Sequence, residues 1–121
     1  MSSSFLSAAE RERWQRFPAT IPQDDLAVDF FLSEDDAREV NRQREPFNRL
    51  AYALQLCTLR YLGLVPTDFT ATPEVAVTVV AEQLGSAPRV LAQYDNRRTQ
   101  SAHRRYVRAY LGFRQATPLD V

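Results

Sequence analysis

The stretch PFNRLAYALQLCTLRYL, residues 46–62, decides the fold. At about 100° per residue, one face of a helix over these positions collects five side chains: Phe47, Leu50, Leu54, Cys57 and Tyr61. Alanine and leucine also occupy much of the remaining surface, so the helix is apolar nearly all round. A helix of this kind lies at the centre of a domain, with neighbours on several sides. Pro46 suits its first turn and Gly63 its end.

Caps and prolines predict further helices before this central one. Ser7 and Glu10 form a capping-box pattern that opens a first helix, and Pro18 ends it. A short helical turn covers residues 23–31. Ser33 caps the next helix, over 34–44, in which three successive acids complement the helix dipole.

The same signals continue after the central helix. Residues 64–72 are expected to form a loop, and Pro73 starts a helix that Gly85 closes. Its valines would also fit a strand, but the cap and proline favour a helix. A shorter helix runs from about Ser86 to Tyr94, and a long one ends at Gly112. The sequence therefore predicts one all-α domain over residues 1–121, a compact bundle of six or seven helices with helix-turn-helix-like elements.

The composition is that of an intracellular globular protein. Hydrophobic residues make up 45% and charged residues 25% of the chain, which are ordinary values. Cys57 is the only cysteine, so a disulfide framework and a multi-cysteine zinc site are excluded. No apolar run reaches the length of a membrane span or of a signal peptide. We expect a cytoplasmic location, with no membrane partner.

Charge is unevenly distributed although the formal net charge is zero. Residues 1–48 hold ten acids and six arginines, whereas residues 49–121 hold five acids and nine arginines. All fifteen basic residues are arginine. A local basic field attracts polyanions whatever the total charge is, so this segregation is more informative than the net charge.

The arginines of the last helix fall on one side. On a helical wheel, an arc of about 120° holds all five of them without an intervening acid: Arg97, Arg98, Arg104, Arg105 and Arg108. The opposite arc, predicted to be buried, carries His103, Val107, Tyr110 and also Ala102, Tyr106 and Ala109. The arginine arc could bind nucleic-acid phosphates, pack against the acidic N-terminal helices, or simply face solvent.

Polar residues of the central helix form two narrow groups. Arg49 and Arg60 lie close together on the wheel, and Asn48 and Gln55 share another edge. Arginine and amide side chains read guanine and adenine edges, and a helix N-terminus favours phosphate. The alternative is structural, in which these side chains satisfy loop carbonyls or the acids of the 34–45 segment.

The sequence contains no arrangement of residues typical of a catalytic site. The three glycines are isolated, so a phosphate-binding glycine loop is absent. His103 is the only histidine and points to the apolar side, which excludes it as the base of a serine triad. The acids Glu34, Asp35 and Asp36 point in different directions and act as a helix cap rather than a metal site. We therefore expect neither enzymatic activity nor a cofactor or metal.

Four segments in order resemble the N-terminal region of transposases of the Tn-three family of replicative bacterial transposons. They are FLSAAERERW followed by Phe-Pro, FFLSEDD, RQREPFNRLAYALQLCTLRYLG and YDNRRTQSAHRRYVRAYLGFR. The third is the most specific, with Asn-Arg-Leu, Ala-x-Gln-Leu and Leu-Arg-Tyr-x-Gly elements. Two departures, Ala51-Tyr52 in place of Gly-Phe and Leu62 in place of proline, do not touch polar positions.

This resemblance implies recognition of terminal inverted repeats during DNA transposition, with strand transfer carried out by a metal-dependent acidic triad elsewhere in a longer protein. The expected partner is double-stranded DNA at transposon ends, and other domains or subunits of the transposase are further candidates. The candidate DNA-binding residues are Arg42, Arg44, Asn48, Arg49, Gln55, Arg97, Arg98, Arg104, Arg105 and Arg108. The alternative is a protein-interaction module of a transposase without direct DNA contact.

Overall fold

The structure, a computed structural model, describes residues 21–63, 72–94 and 97–114, without the side chains of Arg97, Phe113 and Arg114. These residues form five α-helices and one 3₁₀ helix, and no strand occurs among them. The α-helices are α1 (Gln23–Asp29), α2 (Glu34–Val40), α3 (Pro46–Leu62), α4 (Glu74–Leu84) and α5 (Arg97–Arg114); the 3₁₀ helix spans Pro88–Gln93. The all-α prediction is confirmed. The predicted first helix, its Ser7–Glu10 cap and the loop at 64–71 lie outside the described residues.

α3 is the central helix, as its sequence predicts. Every residue from Leu50 to Thr58 is buried. α3 packs against α1, α2, α4, α5 and the 3₁₀ helix, which together cover it on all sides. Gly63 ends it with a φ of 80°, and its N–H donates to the carbonyl oxygen of Leu59 at 2.8 Å.

Short turns join α1 to α2 and α2 to α3. The Ser33 hydroxyl accepts from the Asp36 N–H at 3.1 Å, and the Asp36 carboxylate accepts from the Ser33 N–H at 3.1 Å. This capping box fixes the start of α2.

The structure differs from the prediction in three helix bounds and in one helix type. α1 ends at Asp29 rather than at residue 31, and α5 continues through Gly112 to Arg114. α2 ends at Val40 rather than near residue 44. The chain then continues in turns, with the Gln43 N–H donating to the carbonyl oxygen of Val40 at 3.0 Å, and Glu45, which precedes a proline, is extended with ψ of 146°. The segment after Gly85 is a 3₁₀ helix instead of an α-helix. Its hydrogen bonds, such as Tyr94 N–H to Leu91 O at 3.0 Å, have i,i+3 spacing, and none of its residues is buried deeply enough to favour a longer helix.

Candidate nucleic-acid interface

α5 buries one side and exposes the other. Its buried side is centred on His103, Val107 and Leu111. The exposed side carries Arg98, Ser101, Arg105, Tyr106, Arg108 and Ala109. The prediction for His103 and Val107 is confirmed. Tyr106 and Ala109 were expected on the buried side and are exposed, Tyr106 by 54%, because the arc that meets α3 runs through positions 103, 107 and 111.

The exposed side of α5 is basic and contains no acid. Arg105 and Arg108 are exposed, and Arg104 is half-buried beside them with a 3.4 Å hydrogen bond to the Ser101 hydroxyl. In the described part of the chain, no carboxylate pairs with these three arginines. These three side chains therefore do not form the ion pairs with the acidic helices that the packing alternative requires. We call the exposed side of α5, from Arg98 to Ala109, the arginine face.

The turn between α2 and α3 adds two exposed arginines near the start of α3. Arg42 forms an exposed ion pair with Glu39 at 3.3 Å, an arrangement that costs little to break. Arg44 is exposed. Arg49 is half-buried, and its Nε donates to the carbonyl oxygen of Gln43 at 2.7 Å. Arg49 therefore holds this turn in place, which is the structural alternative considered for it.

The two amide side chains proposed as DNA contacts on α3 differ in their burial. Asn48 lies in the first turn and is half-buried. Gln55 is 1% exposed, and its Nε2 donates to the Tyr94 hydroxyl at 3.3 Å. The structure thus corrects the expectation that Gln55 faces DNA, because neighbours on every side of α3 enclose this position.

A buried polar network fixes α5 against the rest of the domain. The His103 Nδ1 lies 2.8 Å from the Tyr94 hydroxyl, and its Nε2 lies 3.0 Å from Oε1 of Gln43. These partners assign a neutral ring that carries its proton on Nε2, donates to Gln43 and accepts from Tyr94. Burial lowers the pKa of His103 to about 4. His103 therefore acts as a neutral anchor rather than as a base or ligand.

A second anchor joins three helices at Asp36, which is 3% exposed. Its carboxylate accepts from the Tyr110 hydroxyl of α5 at 2.7 Å and from the Arg60 guanidinium of α3 at 3.0 Å. Arg60 also donates to the carbonyl oxygen of Phe31 at 3.2 Å. Arg60, like Arg49, therefore has the structural role considered for it, in which the side chain satisfies a carbonyl oxygen or an acid of the 34–45 segment. Together the two anchors set the rotation of α5 about its axis, and so determine which residues form the arginine face.

A cleft of about 820 Å³ lies between α2 and α5, beside the arginine face. It is lined by Asp35, Arg38, Glu39, Arg42, Tyr106, Ala109 and Tyr110. Arg38 and Tyr106 are not among the candidates predicted from the sequence. The spacing of Arg38 and Arg42, four positions apart in the segment predicted as one helix, could have indicated the first. Nothing in the pattern indicated Tyr106, since the wheel placed it with the buried residues.

No cluster of three metal-ligating side chains occurs in the described ranges. Burial raises the pKa of the Cys57 thiol to about 12, which makes it unreactive at neutral pH. None of the described helices has both the length and the apolar character required to cross a bilayer.

The sequence matches a family described as a domain of unknown function, DUF4158, over residues 5–121. It is 33% identical over 117 residues to the transposase for transposon gamma-delta of Escherichia coli K12, covering 95% of this chain and 12% of that protein. It is 34% identical over 107 residues to the transposase for transposon Tn501 of Pseudomonas aeruginosa, covering 88% and 11%. For the Escherichia coli transposase of transposon Tn21, identity is 33% over 116 residues, covering 94% and 11%.

No solved structure matches the chain. The chain spans about a tenth of the length of the transposases it matches. The match extends over nearly the whole chain. The chain therefore belongs to the DUF4158 family and is related to the transposases of the Tn-three family.

Proposed function

We propose that residues 1–121 act as one helical DNA-binding domain of a Tn-three family transposase, which binds double-stranded DNA at the ends of the transposon. The observation that carries the proposal is the arginine face, a basic side of α5 in which no acid interrupts the arginines. Like charges repel when they share one helix face, and a bound polyanion removes this repulsion.

The DNA contacts come from two sets of arginines at or near the surface. Arg98, Arg104, Arg105 and Arg108 lie on α5, and Arg42 and Arg44 lie in the turn before α3. A planar guanidinium binds a phosphate through two parallel hydrogen bonds, which an ammonium group cannot form. Arg97 stands at the start of α5 and is retained as a candidate from the sequence alone.

The first turn of α3 plays a smaller part in this proposal. Asn48 is half-buried and can reach a phosphate or base only at the edge of the contact. Arg49 acts through the turn that it holds, since its Nε is engaged with Gln43. Gln55 is left out of the interface because it is enclosed in the core.

We assign no catalytic step to this chain. The described part of the chain contributes a basic surface and two buried anchors that orient it. Because the chain spans about a tenth of its relatives' length, we propose that strand transfer is carried out by the remainder of such a transposase.

A second candidate function is docking onto another part of a transposase. The observation that favours it is an apolar surface away from the arginine face, where Val28 is 70% and Phe31 is 58% exposed. Phe31 also lines a groove between α1 and α4 with Leu26, Ala27, Phe30, Val79, Glu82 and Gln83. Exposed apolar patches of this kind mark interaction sites.

Charge reversal separates the two functions. Replacing both Arg104→Glu and Arg108→Glu should abolish binding to transposon-end DNA at moderate salt and leave association with the rest of the transposase intact. Arg89→Glu, on the exposed 3₁₀ helix, serves as a control charge reversal away from the arginine face. A double variant that binds DNA normally but no longer associates would contradict the DNA-binding proposal and support docking.

A further inference from the structure

Burial determines which helix can enter a DNA groove. α3 is enclosed from Leu50 to Thr58, so only its two ends could approach a duplex. α5, in contrast, exposes the arginine face along three turns, from Arg98 to Ala109. A helix of 18 residues is about 27 Å long, and the major groove of B-DNA admits one α-helix. α5 is thus the described helix that presents a long exposed basic side.

Arg105 lies at the middle of the arginine face. Arg104 and Tyr106 lie about 100° to either side of it, and Arg108 lies about 60° away on the Arg104 side. The residues one turn before and after Arg105 are Ser101 and Ala109. Both have small side chains, so the backbone of α5 can approach the floor of a groove closely at this point. Arg105 has no carboxylate partner in the described part of the chain and is available to a ligand.

Arginines stand on both sides of the arginine face. Arg104 and Arg108 form one edge. Across the cleft on the Tyr106 side lie Arg38 of α2 and Arg42 of the turn after it, whose side chains are 72% and 75% exposed. Each forms an ion pair at the cleft, Arg38 with Asp35 and Arg42 with Glu39, which a phosphate would have to replace. A helix in the major groove has base edges in front of it and the phosphates of one strand on each side. The arrangement of α5 and α2 matches this order of contacts.

We propose that α5 enters the major groove and that Arg105 reads a guanine edge, while Arg104 and Arg108 hold the phosphates of one strand and Arg38 and Arg42 those of the other. This inference rests on the proposed DNA-binding function and adds to it the groove, the helix and the specificity-determining residue. Arginine pairs with O6 and N7 of guanine in the most common base-specific contact.

The test compares two alanine variants of the full chain, Arg105→Ala and Arg108→Ala. Both positions are exposed on the same helix, so neither change should affect folding, which circular dichroism checks. The probes are a duplex selected by the wild-type chain from a randomised double-stranded library and a random duplex of equal length. Arg105→Ala should lower the preference for the selected duplex about tenfold or more. Arg108→Ala should weaken binding to both duplexes by the same factor.

Protection of guanine N7 from dimethyl sulfate provides an independent readout, because this atom lies in the major groove. The wild-type chain and Arg108→Ala should protect a guanine of the selected site, and Arg105→Ala should leave it reactive. An unchanged preference or a persisting protection in Arg105→Ala would overturn the assignment of Arg105. A wild-type chain that binds neither duplex would instead refute the proposed function, and the inference with it.

Discussion

Asp36 is the residue on which the position of α5 depends most. Burial disfavours its charged form, but hydrogen bonds from the Tyr110 hydroxyl and the Ser33 N–H, together with the Arg60 guanidinium, hold its pKa below the ordinary value of 3.8. Its carboxylate therefore contributes stability above the unfolded-state pKa, and this contribution is lost as the pH falls through the lower folded-state pKa.

Replacing Asp36→Asn should destabilise the domain by about 3 kcal/mol, because the Arg60 guanidinium loses its buried partner. Urea unfolding followed by circular dichroism measures the change. Asp35→Asn is the matched control; its side chain is half exposed in an ion pair with Arg38, and its loss should cost less than about 1 kcal/mol. Equal effects at the two positions would show that Asp36 is not an anchor.

His103 should remain neutral in the folded state down to a pH near 4, since burial lowers its pKa from 6.5 to about 4. Its contribution to stability is complete above pH 6.5 and declines as the pH falls toward 4, because the unfolded state takes up a proton first. As the chain has a single histidine, its ring proton signals give the titration by NMR without ambiguity. A midpoint near 6.5 would mean that the ring is solvated and the network with Tyr94 and Gln43 is not formed.

At the scale of the helices, α3 was predictable and the 3₁₀ helix was not. The apolar pattern of residues 46–62, with Pro46 before it and Gly63 after it, specifies type, bounds and burial together. The segment Pro88–Gln93 has a helical start signal, but its apolar residues Val90 and Leu91 are only partly buried, so the pattern does not distinguish a 3₁₀ helix from an α-helix. Caps predict where a helix starts better than they predict its hydrogen-bond spacing.

Replacing two of the glycines with alanine should change the free energy of unfolding in opposite directions. Gly63 ends α3 at a φ of 80°, which an L side chain rarely adopts, so Gly63→Ala should cost about 1 kcal/mol. Gly112 lies within α5 with open space around it, and Gly112→Ala should stabilise by about 0.5 kcal/mol through helix propensity. Thermal unfolding of the two variants measures both changes. A shift of the same sign in both would contradict the assigned end of α3 or the extent of α5.

At the scale of the whole molecule, the sequence predicted the basic side of α5 but placed its borders incorrectly. The wheel placed Tyr106 and Ala109 in the buried arc, whereas the buried residues of α5 are His103, Val107 and Leu111. The rotation depends on Asp36 and Gln43, which come from distant parts of the chain. Periodicity within one helix cannot contain that information, and for the same reason the burial of Gln55 beneath Tyr94 was not foreseen.

The salt dependence of DNA binding tests the central claim most directly. Each phosphate neutralised by an arginine releases counterions, so the logarithm of the association constant should fall linearly with the logarithm of the salt concentration. With the arginine face and the α2–α3 turn engaged, the expected slope for transposon-end DNA has a magnitude of about 3–5. A flat dependence on salt, or the absence of binding at low salt, would contradict the account.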